Sequence, residues 1–313
     1  MTDAKRFDLV ALGEPMLEFN QVQNEPPLYL QGYGGDTSNA AIAAARAGAR
    51  VAYLTRLGQD HWAERLLALW REEGVDSDAV LRDAQAPTGV YFVSHDAQGH
   101  HFSYARAGSA ASRMQPQDLE GPWQHCIAAS HWLHVSGISM AISTSACATV
   151  LAAMTVARAS GTQVCLDSNL RLRLWTLEQA RAAFEQALPL CDVFLPSLED
   201  MQPLTGLTEA DAIIDWSHAR GAQRVVLKLG DQGARCSESG RRVSVAGLPV
   251  QALDATGAGD CFAGNLLARL AAGRSLIEAT GYANAAAALS VQGYGAVAPL
   301  PRAQQVLPLL ASN

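Results

Sequence analysis

The segment Leu253-Asp254-Ala255-Thr256-Gly257-Ala258-Gly259-Asp260 combines three features that chemistry could use. Its small residues let a backbone approach a ligand closely. It opens the helix-forming run Cys261-Phe262-Ala263-Gly264-Asn265-Leu266-Leu267-Ala268, so unpaired N–H groups and a positive dipole end face outward as an anion site. A carboxylate, Asp260, stands at that same helix start. A proton acceptor beside an anion cradle is what phosphoryl transfer to a hydroxyl requires. The competing reading is a tight Gly-Ala-Gly turn, with Asp260 only a helix-start residue. The sequence has no G-x-x-x-x-G-K-[ST] loop and lacks the protein-kinase signature set. Gly34-Gly35 is not a G-x-G-x-x-G after a first strand, so a dinucleotide site is weakly supported.

The elements that must position these residues are legible as periodicity. Residues 7–13 (FDLVALG) read as a buried first strand ending in Gly. Residues 40–47 are strongly helix-forming, with Ser38 or Thr37 expected to cap them. Residues 50–57 predict a strand, and 62–73 an amphipathic helix ended at Gly74. Further strands are predicted at 131–135, 163–167, 193–196 and 224–228, and helices at 145–159, 177–187, 209–220, 259–272 and 276–291. Such alternation implies right-handed crossovers and a mostly parallel sheet with helices on both faces. The fold class is therefore α/β, doubly wound, as one domain over 1–313. Two β-rich segments, roughly 15–33 and 88–107, interrupt it. The first carries the turn signal Asn24-Glu25-Pro26-Pro27, and the second reads as a hairpin about Asp96-Ala97-Gln98-Gly99. These two segments are expected to pair into a small separate sheet, a lid.

Composition limits the function classes. Among 313 residues, 49% are hydrophobic and 17% charged, too apolar for a disordered chain. The net charge of −7, with no Lys/Arg cluster, argues against a nucleic-acid partner. An anionic substrate would have to be met by a few placed cations and backbone N–H groups. No apolar run approaches the ~18–20 residues of a membrane span. The six cysteines are scattered without a C-x-x-C pair, which argues against a zinc site or a disulfide framework and suits the cytoplasm. In His131-x-x-His134 the spacing points the two rings to opposite strand faces. His100 and His101 sit near the hairpin turn, where solvation is expected.

Asp254-Ala-Thr-Gly-Ala-Gly-Asp260 resembles the D-T-x-G-A-G-D element of the PfkB/ribokinase family of carbohydrate kinases. Gly34-Gly35-Asp36-Thr37-Ser38-Asn39, followed by an Ala-rich helix and Leu57-Gly58-Gln59-Asp60, resembles that family's N-terminal signature. Within the family, Gly13-Glu14-Pro15-Met16-Leu17-Glu18-Phe19 and Asp167-Ser-Asn-Leu-Arg171-Leu-Arg-Leu-Trp175 are similar to segments of 2-keto-3-deoxygluconate kinases. The resemblance covers essentially the whole chain and implies a ribokinase-like fold with a β-sheet lid. It implies ATP-dependent phosphorylation of 2-keto-3-deoxy-D-gluconate at its 6-hydroxyl; fructose, ribose or a related sugar is the alternative substrate.

The resemblance also assigns residues. Asp260 becomes the general base, and Gly257, Ala258 and Gly259 the anion hole. Gly34, Gly35, Asn39, Tyr91, Tyr104, Arg106 and Arg171 face the sugar acid. An arginine fork suits its carboxylate. Asn169, Ser197, Lys228, Gly230, Gly233 and Asn284, with Gly257 and Gly259, face the nucleotide. Mg²⁺ is implied near Asp200, and a monovalent cation such as K⁺ stays open. Pairing of lids into a homodimer is implied as well. The chain departs from the pattern in three places. The family's N-x-x-E is here Ser197-Leu-Glu-Asp200, Ala255 replaces a hydroxyl residue, and Gly293–Pro299 carries no acid. Two other classes compete: a nucleotide-binding regulator without catalysis, and a Rossmann-type oxidoreductase.

Overall fold

The computed structural model describes residues 5–22, 28–96 and 99–310. The turn Asn24–Pro27 and the hairpin tip at Ala97-Gln98 lie outside the described residues. The strands, in chain order, are β1 Phe7–Leu12, β2 Met16–Gln21, β3 Tyr29–Gly34, β4 Val51–Leu54, β5 Arg56–Gly58, β6 Val75–Asp76, β7 Leu81–Asp83, β8 Val90–Asp96, β9 Gly99–Ala105, β10 Ser130–Ser136, β11 Gln163–Asp167, β12 Val193–Leu195, β13 Arg224–Lys228, β14 Ala234–Glu238 and β15 Arg241–Val245. Nine of them form the central sheet, in the order β15-β14-β13-β12-β11-β10-β1-β4-β6. It is parallel from β6 to β13 and closes with the antiparallel strands β14 and β15 at one edge.

Parallel central strands are buried on both faces, and β1 shows how the sequence encodes this. Leu9 and Ala11 enter one apolar cluster with helices Asp36–Arg46, His61–Glu73, Ala258–Ala271 and Leu276–Ser290. Val10 and Leu12 enter the other, with helices Pro122–Ala128, Thr144–Ala159 and Leu177–Ala187. Helices therefore cover both faces, as the alternation predicts. The expected cap of the first helix is corrected: Gly35 is the N-cap and no side chain caps the end. Thr37 and Ser38 lie inside the first turn, and their hydroxyls serve tertiary bonds to Tyr53 Oη (2.9 Å) and Trp70 Nε1 (3.0 Å). Gly74 does end its helix, in the left-handed conformation.

The two early β segments form a separate four-stranded sheet, β3-β2-β8-β9, with β2 and β8 parallel at its centre. Its β3 runs directly into the first helix through Gly35. His131 is exposed and His134 buried, on opposite faces as the spacing predicts, and His101 is exposed. Among the described residues, no helix is long and apolar enough to cross a membrane.

One crossing fixes the relation between the N-terminal and C-terminal halves. Helix Asp36–Arg46 packs against helix Ala258–Ala271 at Gly264, where a Cβ would overlap the Ala40 carbonyl oxygen and stand 2.9 Å from the Ala43 Cβ. The obstacle is backbone, which cannot rotate away. Overpacking of this kind costs about 1–3 kcal/mol. Gly264→Ala is therefore expected to lower stability by about that amount in urea unfolding, and to separate the two helix N-termini enough to reduce turnover.

Candidate active site

The central sheet delivers its polar residues to one edge. Glu14 follows β1, Asp167 ends β11, Ser197 follows β12 and Lys228 ends β13. All are carboxyl ends of parallel strands, where open α/β sheets bind ligands. Two helix N-termini meet the same edge. Helix Ala258–Ala271 starts at Gly257, whose φ of 75° turns the chain into it, and Asp260 lies in its first turn. Asp254 braces the preceding loop by accepting from the N–H groups of Thr256 and Gly295, both at 2.9 Å. The Gly-Ala-Gly segment is thus both a tight turn and a helix start without a side-chain cap.

Several predicted residues come together here. Asn39, on the first helix, donates from Nδ2 to Asp260 Oδ2 at 2.8 Å. Lys228 Nζ contacts both oxygens of Asp167 at 2.8 Å and lies 3.5 Å from where a Gly259 Cβ would be. Asn169 has a left-handed backbone, φ 28°, and donates to Asp36 Oδ2 at 3.2 Å. Ser197 caps helix Leu198–Thr205 through the Asp200 N–H at 3.1 Å. Asp200 accepts the Ser168 hydroxyl at 2.6 Å and stands 3.8 Å from Arg171 Nη1, whose side chain is 54% exposed.

The small sheet supplies another group. The Tyr91 hydroxyl donates to Glu18, and a Cβ at Gly34 would stand 2.5 Å from that hydroxyl. Tyr104 stacks on Tyr91 with ring centroids 5.7 Å apart. Arg106 pairs with Glu14, which also accepts the Ser109 hydroxyl. Asn284, Gly230 and Gly233 lie elsewhere, where the loop after β13 meets the chain after β15. Asn284 donates to the carbonyls of Val245 and Ala246, both at 3.0 Å, so its amide holds this junction together. Glu14, Glu18, Asp36 and Asp167 join this cluster, and the motifs assign them no role. Glu14 and Asp36 do adjoin motif glycines, which was a usable signal.

This geometry has known counterparts. A match to the description "pfkB family carbohydrate kinase" runs over residues 6–303. The chain belongs to the pfkB family of carbohydrate kinases. It is a sugar kinase. It is 34% identical to the 2-dehydro-3-deoxygluconokinase of Thermoproteus tenax, covering 97% of this chain and 95% of that one. It is 32% identical to fructokinase-1 of Oryza sativa subsp. japonica, covering 97% and 98%. Among solved structures, a PfkB protein from Polaromonas sp. JS666 superposes with a TM-score of 0.87 at 31% identity, covering 96% and 99%.

The kinase's site carries more buried negative charge than its cations balance. Burial would lower the Lys228 ammonium, but the contact with Asp167 outweighs it and holds its pKa above the ordinary value. That ammonium is thereby largely committed. Burial, and then repulsion from Asp36 and Asp167, push the Asp260 carboxyl up to about 7, despite the Asn39 bond and Lys228. A carboxyl with a raised native pKa binds its proton more tightly folded than unfolded, so its contribution to stability is present in acid and is lost as pH rises from about 4 through about 7. Asp260→Asn removes that loss. The variant should therefore exceed the wild type in stability by a few kcal/mol at pH 8, at 1.36 kcal/mol per pKa unit, and by little at pH 4. Thermal unfolding at the two pH values measures the difference.

Proposed function

We propose that this kinase transfers the γ-phosphoryl group of ATP to the 6-hydroxyl of 2-keto-3-deoxy-D-gluconate. The observation that carries the choice of substrate is the Arg106 guanidinium. Its side chain is only 10% exposed, it is held by Glu14, and it stands 5.9 Å from the Tyr104 ring centroid. A fixed planar fork at the small sheet suits a carboxylate, and Glu14 occupies only part of its five-donor capacity. Similarity to the Thermoproteus tenax 2-dehydro-3-deoxygluconokinase supports the same substrate.

In this mechanism Tyr91, Tyr104 and Arg106 orient the sugar acid above Gly34 and Gly35, and Arg171 contributes from the chain after β11. The small sheet closes as a lid and excludes water. Asp260 accepts the proton of the 6-hydroxyl while that oxygen bonds the γ-phosphorus and ADP leaves. The N–H groups of Gly257, Ala258 and Gly259, with Lys228, stabilise charge on the transferring group. Gly230, Gly233 and Asn284 shape the nucleotide side, with Asn169 and Ser197. Mg²⁺ bound with the nucleotide would neutralise phosphate charge. Asp200 suits it as a hard oxygen donor whose carboxylate keeps lone pairs beyond the Ser168 bond. Among the described residues no group of three His, Cys, Asp or Glu could hold a metal ion, so such an ion would take most of its ligands from phosphate and water.

A second reading has its own support. Glu14 neutralises Arg106, which lowers the demand for an anionic substrate, and a fructokinase is nearly as similar. A panel of sugars and sugar acids with ATP, read as ADP formed, separates the two. We expect the highest kcat/KM for the keto-deoxy acid. Arg106→Ala should raise KM for the acid at least tenfold and leave a neutral sugar within about twofold; fructose as the best substrate would overturn the reading. A homodimer through the small sheets is part of the proposal, supported by Leu30 and Tyr104, which are exposed on one face of that sheet. Sedimentation at micromolar concentration should give twice the chain mass.

A further inference from the structure

Asp36 has no part in the roles given above, yet its surroundings are unusual. It opens the first helix directly after Gly35, one turn before Asn39. Residues three apart on a helix are neighbours on one face. Asn39 in turn bonds Asp260 at 2.8 Å. Asp36 is 8% exposed, and its Oδ1 finds no hydrogen-bond donor among the described residues. Its other oxygen accepts from Asn169, which adopts φ 28° to reach it. A buried carboxylate that bonds neutral donors but no cation is costly. The candidate cation, Lys228, is held by Asp167 through both oxygens. Arg106 is held by Glu14.

We propose that Asp36 is the positioning residue that sets the pH at which Asp260 becomes a competent base: the two buried carboxylates, one on the first helix and the other tied to it through Asn39, titrate as a pair, and Asp260 is freed only when the pair gives up its last proton. The inference rests on Asp260 being the base. Charged and titratable groups face the pair from every packed element. Asp36 itself comes from the first helix, Asp167 from the end of β11, Lys228 from the end of β13, Arg106 from beyond β9, Tyr53 from β4 and Tyr91 from β8, with Glu14 from beyond β1 against Tyr53 and Arg106. Of these, Asp36 is the largest charged contributor to the raised Asp260 pKa, second only to burial itself. Burial, with Asp167, raises Asp36 too, although Ser136, the Thr37 N–H and Arg106 draw it back. Two such groups titrate as a pair, and removing one charge lets the other ionise more easily.

The test is the pH profile of kcat/KM for the sugar at saturating MgATP, in wild type, Asp36→Asn, Asp36→Glu and Asp260→Asn. In the wild type we expect an acidic limb near pH 7. Asp36→Asn should move that limb down by about one pH unit, so that the ratio of kcat/KM at pH 5.5 to that at pH 8 rises about tenfold. Its kcat at pH 8 should stay within about tenfold of wild type. Asp36→Glu, which restores the charge, should return the limb towards its original position. Asp260→Asn should lose about 10²–10⁴ of kcat at every pH. An unmoved limb in Asp36→Asn, with Asp260→Asn inactive, overturns the role of Asp36 alone. A raised sugar KM with an unmoved limb overturns it too, because Asp36 would then be a substrate ligand. An active Asp260→Asn overturns the base assignment instead. Because Asp36→Asn removes a buried charge, it should unfold at a higher temperature than wild type at pH 8, which separates misfolding from a true effect on the limb.

Discussion

The arrangement of this kinase depends on a local imbalance of charge. Asp36, Asp167 and Asp260 are brought to one sheet edge where the buried ammonium is Lys228, and Asp167 holds that ammonium at 2.8 Å through both oxygens. Two carboxylates are left to share what remains. Two like charges about 4 Å apart in water repel by only about 1 kcal/mol, but burial lowers the effective dielectric and magnifies such repulsion. The same imbalance favours phosphate chemistry in one respect. A carboxyl whose pKa lies near neutrality is a better proton acceptor than an ordinary one, since proton transfer is most efficient when the base matches the working pH.

That electrostatic state needs rigid placement, and two backbone features provide it. Gly264 lets the first helix and helix Ala258–Ala271 approach until Asn39 reaches Asp260. Gly257, in the left-handed conformation, turns the chain into the second helix, and no side chain caps the N–H groups of that helix start. Asn169 adds a third constraint, a left-handed residue beyond β11 whose amide holds Asp36. Asn accepts that conformation more readily than most residues, because its short polar side chain can bond locally. Strain retained at a polar cluster, with its side chain committed to a buried carboxylate, fits a functional site better than a loop accident.

Much of this was legible in the residues. Alternating apolar strands and amphipathic helices specified a parallel sheet with two covered faces, because a strand buried on both sides must be apolar along its length. The Gly-Ala-Gly-Asp segment announced the helix-start cradle, because few other demands combine small residues with an acid there. Side-chain choices inside helices were less legible. Thr37 and Ser38 have capping chemistry, yet both face the core and bond Tyr53 and Trp70, and Gly35 takes the cap position. Local propensity could not foresee that tertiary partners would claim those hydroxyls. The strands β14 and β15 (ARCSE and RRVSV) are not legible as alternation, because charged residues interrupt their apolar positions, and β15 is the edge strand, where charges are expected. Asp36 and Glu14 went unassigned because their importance lies in what they lack or neutralise, which appears only once the neighbours are in place.

Glu14 shows how the small sheet and the main body are made to answer to each other. It follows β1, the most central of the N-terminal strands, and is fully buried, yet its partners Arg106 and Ser109 come from the chain just after β9. A buried carboxylate stripped of its cation is costly, typically about 3–5 kcal/mol. Arg106 therefore cannot swing freely towards a ligand without abandoning Glu14. Any anion it binds must be shared with that carboxylate, through donors the pair leaves over. Such an arginine discriminates by geometry more than by charge: its fork is held in one plane, and a ligand that meets that plane gains bonds that a merely negative one does not. This reconciles a fixed guanidinium at the small sheet with a site whose surplus charge is negative.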